Sequence, residues 1–207
     1  MYLPPHFRDD DLPGIHAMMQ ATRLPTLVTA TADGLIGTPL PLILDMDEAP
    51  QGVLYGHVSK ANPQWKTAPQ GDAMAIFMGP DAYVSPSWYA TKQETGKVVP
   101  TWNYVAVHAY GPVEFFEDDD RLLQIVTRLT EKHEQGRDRP WAVSDAPEDF
   151  VRAQLKGIVG LRLQITRLDA KRKVSQNRSA ADRAGVAAGL SASADARDRA
   201  VAGLIPR

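Results

Sequence analysis

The chain has 207 residues, 43% of them hydrophobic and 23% charged, which is enough for one well-buried domain with appendages. It has no cysteine, which excludes a disulfide framework, a Cys-ligated zinc ion, an iron–sulfur cluster and a thiol nucleophile. The formal net charge of −2 hides an asymmetry, because residues 171–207 hold eight Lys and Arg against three Asp, and the rest holds 15 against 22. With no apolar leader and no run of 18 apolar residues, we expect a soluble, cytoplasmic protein with no membrane partner.

The N-terminal half predicts a helix followed by short strands. The helix runs from Asp10 to Thr22, with Pro13 in its first turn. Next, Asp33-Gly34 separates two β-rich runs and predicts a tight hairpin, because this pair accepts positive φ angles. Further strands are predicted at 52–58, 73–79, 82–85 and 96–116.

The C-terminal half predicts two helices and a final strand. Asp118 begins a helix that ends near His133. A second helix is predicted between Pro147 and Gly157. Residues 158–168 alternate as a strand with one solvent-exposed face. Six to seven strands with short connections favour a mainly β fold with helical insertions, a small closed or half-open barrel. The Ala-rich end, 187–204, is expected to fray.

The stretch GKVVPTWNYVAVHAYG, residues 96–111, alternates with a period of two. One side reads as sheet interior, with Asn103, Val105, Val107 and Ala109. The other side carries Trp102, Tyr104, Ala106, His108 and Tyr110. This second side is too apolar for water and too polar at its tips for ordinary core, so it predicts either a planar ligand or a dimer interface.

A second motif is LYGHVSKANPQW, residues 54–65. It predicts a strand, then Ser59-Lys60, then a helix that starts at Asn62-Pro63. A hydroxyl, an ammonium group and free backbone N–H groups at one spot are typical of phosphate sites. The alternative is that Ser59 and Lys60 form only a solvated turn.

No motif of a known catalytic or nucleotide-binding class is present. GxxxxGK[ST], GxGxxG, GxSxG and HExxH do not occur, and the five histidines show no pair at ligand spacing, so no metal site is expected. No catalytic residue is assigned. The best candidates for an acid or base are His108 and Tyr104.

Several blocks in one order carry a resemblance to a known family. They are MYLPPHF, TPLPL, LYGHVSKANPQW, GPDAYVSPSWY, VVPTWNYVAVHAYG and KRKVSQNR. Over most of its length the chain resembles the PaiB family, described as FMN-binding negative transcriptional regulators. The family commonly has Ala-Arg where this chain has Ser59-Lys60, so Lys60 supplies the positive charge that an arginine supplies elsewhere in the family. The resemblance implies a six-stranded antiparallel FMN-binding split barrel of Greek-key type, and a homodimer with two symmetric sites at the subunit interface and FMN in each.

The resemblance also implies which residues contact the cofactor. Ser59 and Lys60 bind the FMN phosphate, and Asn62 helps through the helix start. The segment Thr38, Pro39 and Leu40 meets the flavin ring through its backbone. His57 either faces the site or is an ordinary sheet residue.

Two further groups complete the expected site. The face with Trp102, Tyr104, His108 and Tyr110 would border both the partner chain and the isoalloxazine. The cluster Gln176, Asn177 and Arg178 either reaches over the cofactor or begins a solvated tail. The expected organisation is an FMN-binding domain at 1–170 and a basic, partly helical tail at 171–207.

The implied function is therefore negative transcriptional regulation with bound FMN. A flavin-dependent oxidoreductase or flavin reductase of the split-barrel class is the alternative, and a heme-binding split barrel with His57 or His108 as axial ligand is a third. DNA is a possible partner with little support, because no helix-turn-helix pattern occurs. The basic residues are concentrated at 171–183.

Overall fold

The computed structural model describes residues 1–207 and shows a mainly β protein with helices. The strands are β1 (Thr26–Thr31), β2 (Gly34–Pro39), β3 (Ile43–Asp45), β4 (Val53–Ser59), β5 (Ala73–Val84), β6 (Thr101–Gly111), β7 (Val113–Phe116), β8 (Ile158–Gln164) and β9 (Arg167–Lys173). The helices are α1 (Leu12–Ala21), α2 (Thr91–Thr95), α3 (Asp119–Glu134), α4 (Glu148–Leu155), α5 (Ala180–Ser191) and α6 (Ala196–Ala202). No helix is both long enough and apolar enough to cross a membrane.

The strands form two antiparallel sheets. The first has the order β2-β1-β5-β6-β9 and the second the order β3-β4-β8-β7. The predicted hairpin is present: β1 and β2 pair from Thr26↔Pro39 to Thr31↔Gly34, and Gly34 has the positive φ of 119° that its turn requires. The predicted fold class is confirmed.

The strand count differs from the six expected, because the structure contains nine strand segments. The predicted strands 73–79 and 82–85 are one strand, since β5 continues through Pro80, which the sequence presents as a turn signal. The chain breaks instead at Pro112, between β6 and β7. Two segments were not predicted: β3 is only three residues long, and β9 has the charged sequence RLDAKRK, which shows no hydrophobic alternation.

The chain forms two compact units, described here separately. One comprises Leu12–Phe77 and His108–Leu168. In it, β4 pairs with β8 from Val53↔Gln164 to Ser59↔Ile158, and α3 packs on this sheet. The buried core under α3 consists of Ile43, Phe116, Leu122, Ile125, Leu129 and Leu155. Leu122, Ile125 and Leu129 recur at helical spacing, so one face of α3 is apolar and that face is buried.

The other unit comprises Met1–Asp11, Met78–Val107 and Asp169–Arg207. Its C-terminal helices are packed rather than frayed: Val186, Leu190 and Val201 are fully buried. The reason is a contact that the Ala-rich composition does not reveal, the close approach of α5 to Trp88 on the loop after β5. The expected boundary between residues 170 and 171 falls inside β9.

Candidate functional site

The turn after β4 contains the residues predicted to hold a phosphate. β4 ends at Ser59, and a 3-10 turn follows at Pro63–Trp65, capped by Asn62. The Asn62 side-chain oxygen accepts a hydrogen bond from the Gln64 N–H at 2.9 Å, and its Nδ2 donates to Thr38 Oγ1 at 3.0 Å. Asn62 therefore joins the turn to the end of β2, and two predicted cofactor segments meet at one point.

The backbone N–H groups of this turn are not free, contrary to the expectation from sequence. Lys60 N–H donates to Gly157 O at 2.8 Å, Ala61 N–H to Ser59 Oγ at 3.2 Å, and Asn62 N–H to Ser59 O at 2.9 Å. The predicted helix start is also only a single 3-10 turn of three residues, too short for a useful helix dipole. An anion at this turn would therefore be held by side chains.

The Lys60 ammonium is the cation of this turn. It is 47% exposed and pairs with Glu117, which is 48% exposed. Trp65 Nε1–H donates to Lys60 O at 3.0 Å, so Trp65 fixes the backbone from which the lysine projects. Exposed ion pairs of this kind are weak and exchange partners readily, so Glu117 is a counter-ion that an incoming phosphate can replace.

His57 and the Pro39-Leu40 segment lie in the same unit. Leu40 is buried, and its N–H donates to Pro25 O at 3.0 Å, whereas Pro39 is exposed. The Nδ1 of His57 is buried without a hydrogen-bond partner, and burial lowers the pKa of this imidazole, so it is neutral at pH 7. His57 lines a cavity of about 310 Å³ with His133 and Trp141 among its walls.

The alternation predicted for 101–111 is confirmed. Asn103, Val105, Val107 and Ala109 are buried, and the opposite side is half-buried or exposed apart from Ala106. Trp102 is 54% exposed and contacts Tyr83 edge-on, with ring centroids 5.9 Å apart. In the other unit, His108 Nδ1 lies 3.4 Å from the Tyr110 hydroxyl.

Sequence reasoning missed two lysines beside the aromatic residues. Lys171 is 7% exposed, donates to Tyr2 O at 3.1 Å and lies 5.2 Å from the centre of the Tyr104 ring. Burial, and then the charges of Lys171 and Arg178, lower the pKa of Lys173. Neither lysine has a carboxylate partner, which is costly for the buried Lys171 and makes this end of β9 positive. The uneven charge of residues 171–207 was the available signal, but it was assigned to a solvated tail.

The predicted cluster after β9 is partly built into the fold. Gln176 accepts from Val174 N–H at 2.8 Å and donates to Arg172 O, and the Arg178 guanidinium lies 4.9 Å from the centre of the Tyr89 ring. Asn177 is exposed. The Tyr89 hydroxyl is buried, and burial raises the pKa of Tyr89, whereas the neighbouring Arg178 opposes this rise.

Comparison with known proteins identifies the family to which the chain belongs. A family model described as "Putative FMN-binding domain" matches residues 1–167. The chain is 36% identical over 183 residues to "Protease synthase and sporulation protein PAI 2" of Bacillus subtilis, covering 88% of this chain and 85% of that protein. The chain belongs to the PaiB family of FMN-binding domains. The family resemblance inferred from the sequence blocks is thus confirmed, and FMN is the cofactor of the family.

Two solved structures show the same fold at low sequence identity. A conserved hypothetical protein of Mycobacterium tuberculosis superimposes with a TM-score of 0.60 at 14% identity, over 86% of this chain and 94% of that one. The flavocytochrome Anf3 of Azotobacter vinelandii gives a TM-score of 0.56 at 17% identity, over 80% and 67%. At these identities the likeness concerns the fold alone.

The side chains of the turn fit the phosphate end of FMN. The Ser59 hydroxyl accepts from Ala61 N–H and the Thr38 hydroxyl accepts from Asn62 Nδ2, so both retain their own O–H as a donor. The Lys60 ammonium adds a positive charge. Hydroxyl donors and a cation are groups of the kind that bind a phosphate dianion.

Proposed function

We propose that this chain binds FMN through the turn after β4, and that Ser59, Lys60 and Thr38 hold its phosphate. The observation that carries the proposal is the Asn62 hydrogen bond to Thr38 at 3.0 Å. It fixes the end of β2 against the turn, so that two hydroxyls and the ammonium group share one surface. When bound, FMN supplies the redox-active isoalloxazine, and these residues orient it by its phosphate.

A test of this proposal compares FMN with riboflavin, which lacks the phosphate. Hydrogen bonds to a charged group contribute about 1.5 kcal/mol or more each, so riboflavin should bind roughly tenfold more weakly or worse. Fluorescence titration of flavin-free protein at fixed ionic strength measures both constants. Equal affinities for the two flavins would show that the protein does not bind the FMN phosphate.

We further propose a homodimer in which exposed large side chains on β5 and β6 meet a second copy. Met78, Tyr83 and Trp102 are each about half exposed, at 54%, 46% and 54%. Large apolar side chains exposed side by side are typical of an interface. A two-fold interface would use this patch twice, and in such a dimer the predicted cofactor face of β6 would border the partner chain.

We also propose that the regulatory role follows from flavin binding rather than from a dedicated DNA-binding surface. The three basic residues at 171–173 are engaged within the protein: Lys171 donates to Tyr2 O, Arg172 pairs with Asp9 at 2.8 Å, and Lys173 donates to Thr101 Oγ1. Contacts with DNA phosphates there would require breaking these interactions.

A gel-shift titration with mixed-sequence duplex at low salt tests this view. We expect retention of the duplex only above about 10 µM protein, a concentration at which weak non-specific DNA binding is usual. Tight, salt-resistant retention would show a DNA surface elsewhere on the chain. Flavin-dependent oxidation of NADH or NADPH by the purified protein would instead favour the oxidoreductase alternative.

A further inference from the structure

The helical insertion contains a cavity that is separate from the residues predicted to bind FMN. It lies between α3, the 3-10 turn at Val143–Asp145 and α4, and has a volume of about 530 Å³. None of the predicted cofactor residues lines it. Small-molecule sites commonly occupy about 300–1,000 Å³, so this cavity is large enough for a ligand.

The floor of the cavity is apolar and is set by the core beneath it. α3 uses Leu122, Ile125 and Leu129 for the core, while a neighbouring stripe with Leu123 and Thr127 faces the cavity. On the α4 side, Val151 and Leu155 complete the floor, and both pack against the same core cluster. The apolar surface is therefore rigidly supported rather than a loose gap between helices.

The third wall is the loop between the helices, and it is also fixed. Ala142 N–H donates to Asp145 Oδ2 at 2.9 Å, and Asp145 N–H donates back to Ala142 O at 2.9 Å. This reciprocal pair holds the short turn whose Val143 side chain lines the cavity. The three walls thus form a preorganised concave surface.

The charges around the cavity are strongly unbalanced. Four carboxylates line it, those of Asp119, Asp120, Glu131 and Glu148, against the single guanidinium of Arg152. Arg152 is neutralised by Glu148, with hydrogen bonds of 3.0 and 2.8 Å from Nε and Nη2. Glu131 and the two aspartates at the start of α3 have no ion pair.

We propose that this cavity binds an amphipathic cation, a primary amine with an apolar body. The hydrocarbon part occupies the floor of leucine and valine, and the ammonium group lies at the acidic rim beside Glu131, which has no ion pair. The hydroxyl of Thr127 is a further acceptor for the ammonium. An anionic ligand is disfavoured, because four carboxylates and only one guanidinium surround the cavity. The proposal is independent of FMN binding.

Calorimetric titration with three probes of similar shape tests the charge preference. They are 2-phenylethylamine, 2-phenylethanol and 3-phenylpropionate. We expect the amine to bind at least about tenfold more tightly than the alcohol, and the carboxylate not to bind measurably. Equal affinity for amine and carboxylate, or no amine binding at millimolar concentration by folded protein, would overturn the proposal.

Variants locate the site. Glu131→Gln should weaken the amine about threefold, as loss of one exposed ion pair typically does. Asp120→Asn should have a smaller effect, because Asp120 lies eleven residues away on α3, roughly 16 Å along the helix. Asp138→Asn, an exposed aspartate outside the cavity, is the matched control and should have no effect. Full retention of amine affinity in the Glu131→Gln variant would contradict the assignment.

A bulky substitution separates a ligand site from a surface covered by protein. Thr127→Trp should fill the cavity and abolish amine binding, while FMN affinity and the sedimentation coefficient stay those of the wild type. A change in oligomeric state in this variant would show that a second copy covers the cavity, and would overturn the small-molecule proposal.

Discussion

Removing the cation or its internal counter-ion at the turn after β4 should move FMN affinity in opposite directions. Lys60→Ala deletes the ammonium group that pairs with Glu117, and Glu117→Gln deletes the charge that competes for it. A hydrogen bond between charged groups contributes about 1.5–3 kcal/mol, and we use the lower value because Lys60 is half exposed. Lys60→Ala should then weaken FMN roughly tenfold.

The expected gain in the Glu117→Gln variant is smaller. An exposed ion pair contributes about 0.2–1 kcal/mol, so releasing Lys60 from Glu117 should tighten FMN by up to about fivefold. Both changes act on the phosphate end, so riboflavin affinity should change in neither variant. The assay is flavin fluorescence titration at low, fixed ionic strength, since salt screens both effects.

Lys66→Ala is the matched control for this pair. Lys66 is an exposed lysine six residues along the chain, near the Trp65 ring and without an ion pair. It should leave FMN affinity unchanged. Wild-type affinity in Lys60→Ala, or equal losses for FMN and riboflavin, would refute the phosphate assignment.

Three further predictions follow from other parts of the structure. Wild-type protein should sediment as a dimer, and Trp102→Ala should raise its dissociation constant by about tenfold or more, as loss of an interface aromatic does. Trp141 is similarly exposed, and Trp141→Ala should not change the dissociation constant. Equal dimerisation of both variants would contradict the proposed interface. Gly185→Ala places a Cβ 2.0 Å from the Trp88 carbonyl oxygen and should lower the unfolding free energy by about 1–3 kcal/mol. Gly203→Ala should be nearly neutral, because the atom nearest to its Cβ is 3.5 Å away. Equal unfolding free energies of the two variants in urea denaturation would contradict the packing of α5. Because burial lowers the pKa of His57 below its unfolded value of 6.5, the unfolded state binds more protons, and the unfolding free energy should fall as the pH drops below 6.5. His57→Gln should flatten that slope, and an unchanged slope would show that His57 does not cause it.

Local patterns were sufficient to predict much of the fold. The period-two alternation of 101–111 identified the buried side of β6, and the Asp33-Gly34 pair identified the first hairpin. Asn62-Pro63 identified the cap correctly, but of a single 3-10 turn instead of the predicted helix. In each case the determining interactions lie within a few residues along the chain, so propensity and pattern contain the information. The family was identified from the order of the quoted sequence blocks.

What the sequence did not reveal depends on contacts between distant segments. The hydrogen bond between Asn62 and Thr38 joins residues 24 apart, and the pair of Lys60 with Glu117 joins residues 57 apart. β9 was missed because its charged sequence is held by tertiary partners of Lys171 rather than by hydrophobic alternation. These interactions exist only once the sheets have formed, so no local pattern could predict them.

The most direct test of the central claim is a titration of flavin-free protein with FMN, followed by the visible absorption spectrum of the complex. The account predicts saturable binding of one FMN per chain, with the two absorption bands of a protein-bound flavin. Failure to bind FMN below millimolar concentration by protein shown to be folded would contradict it.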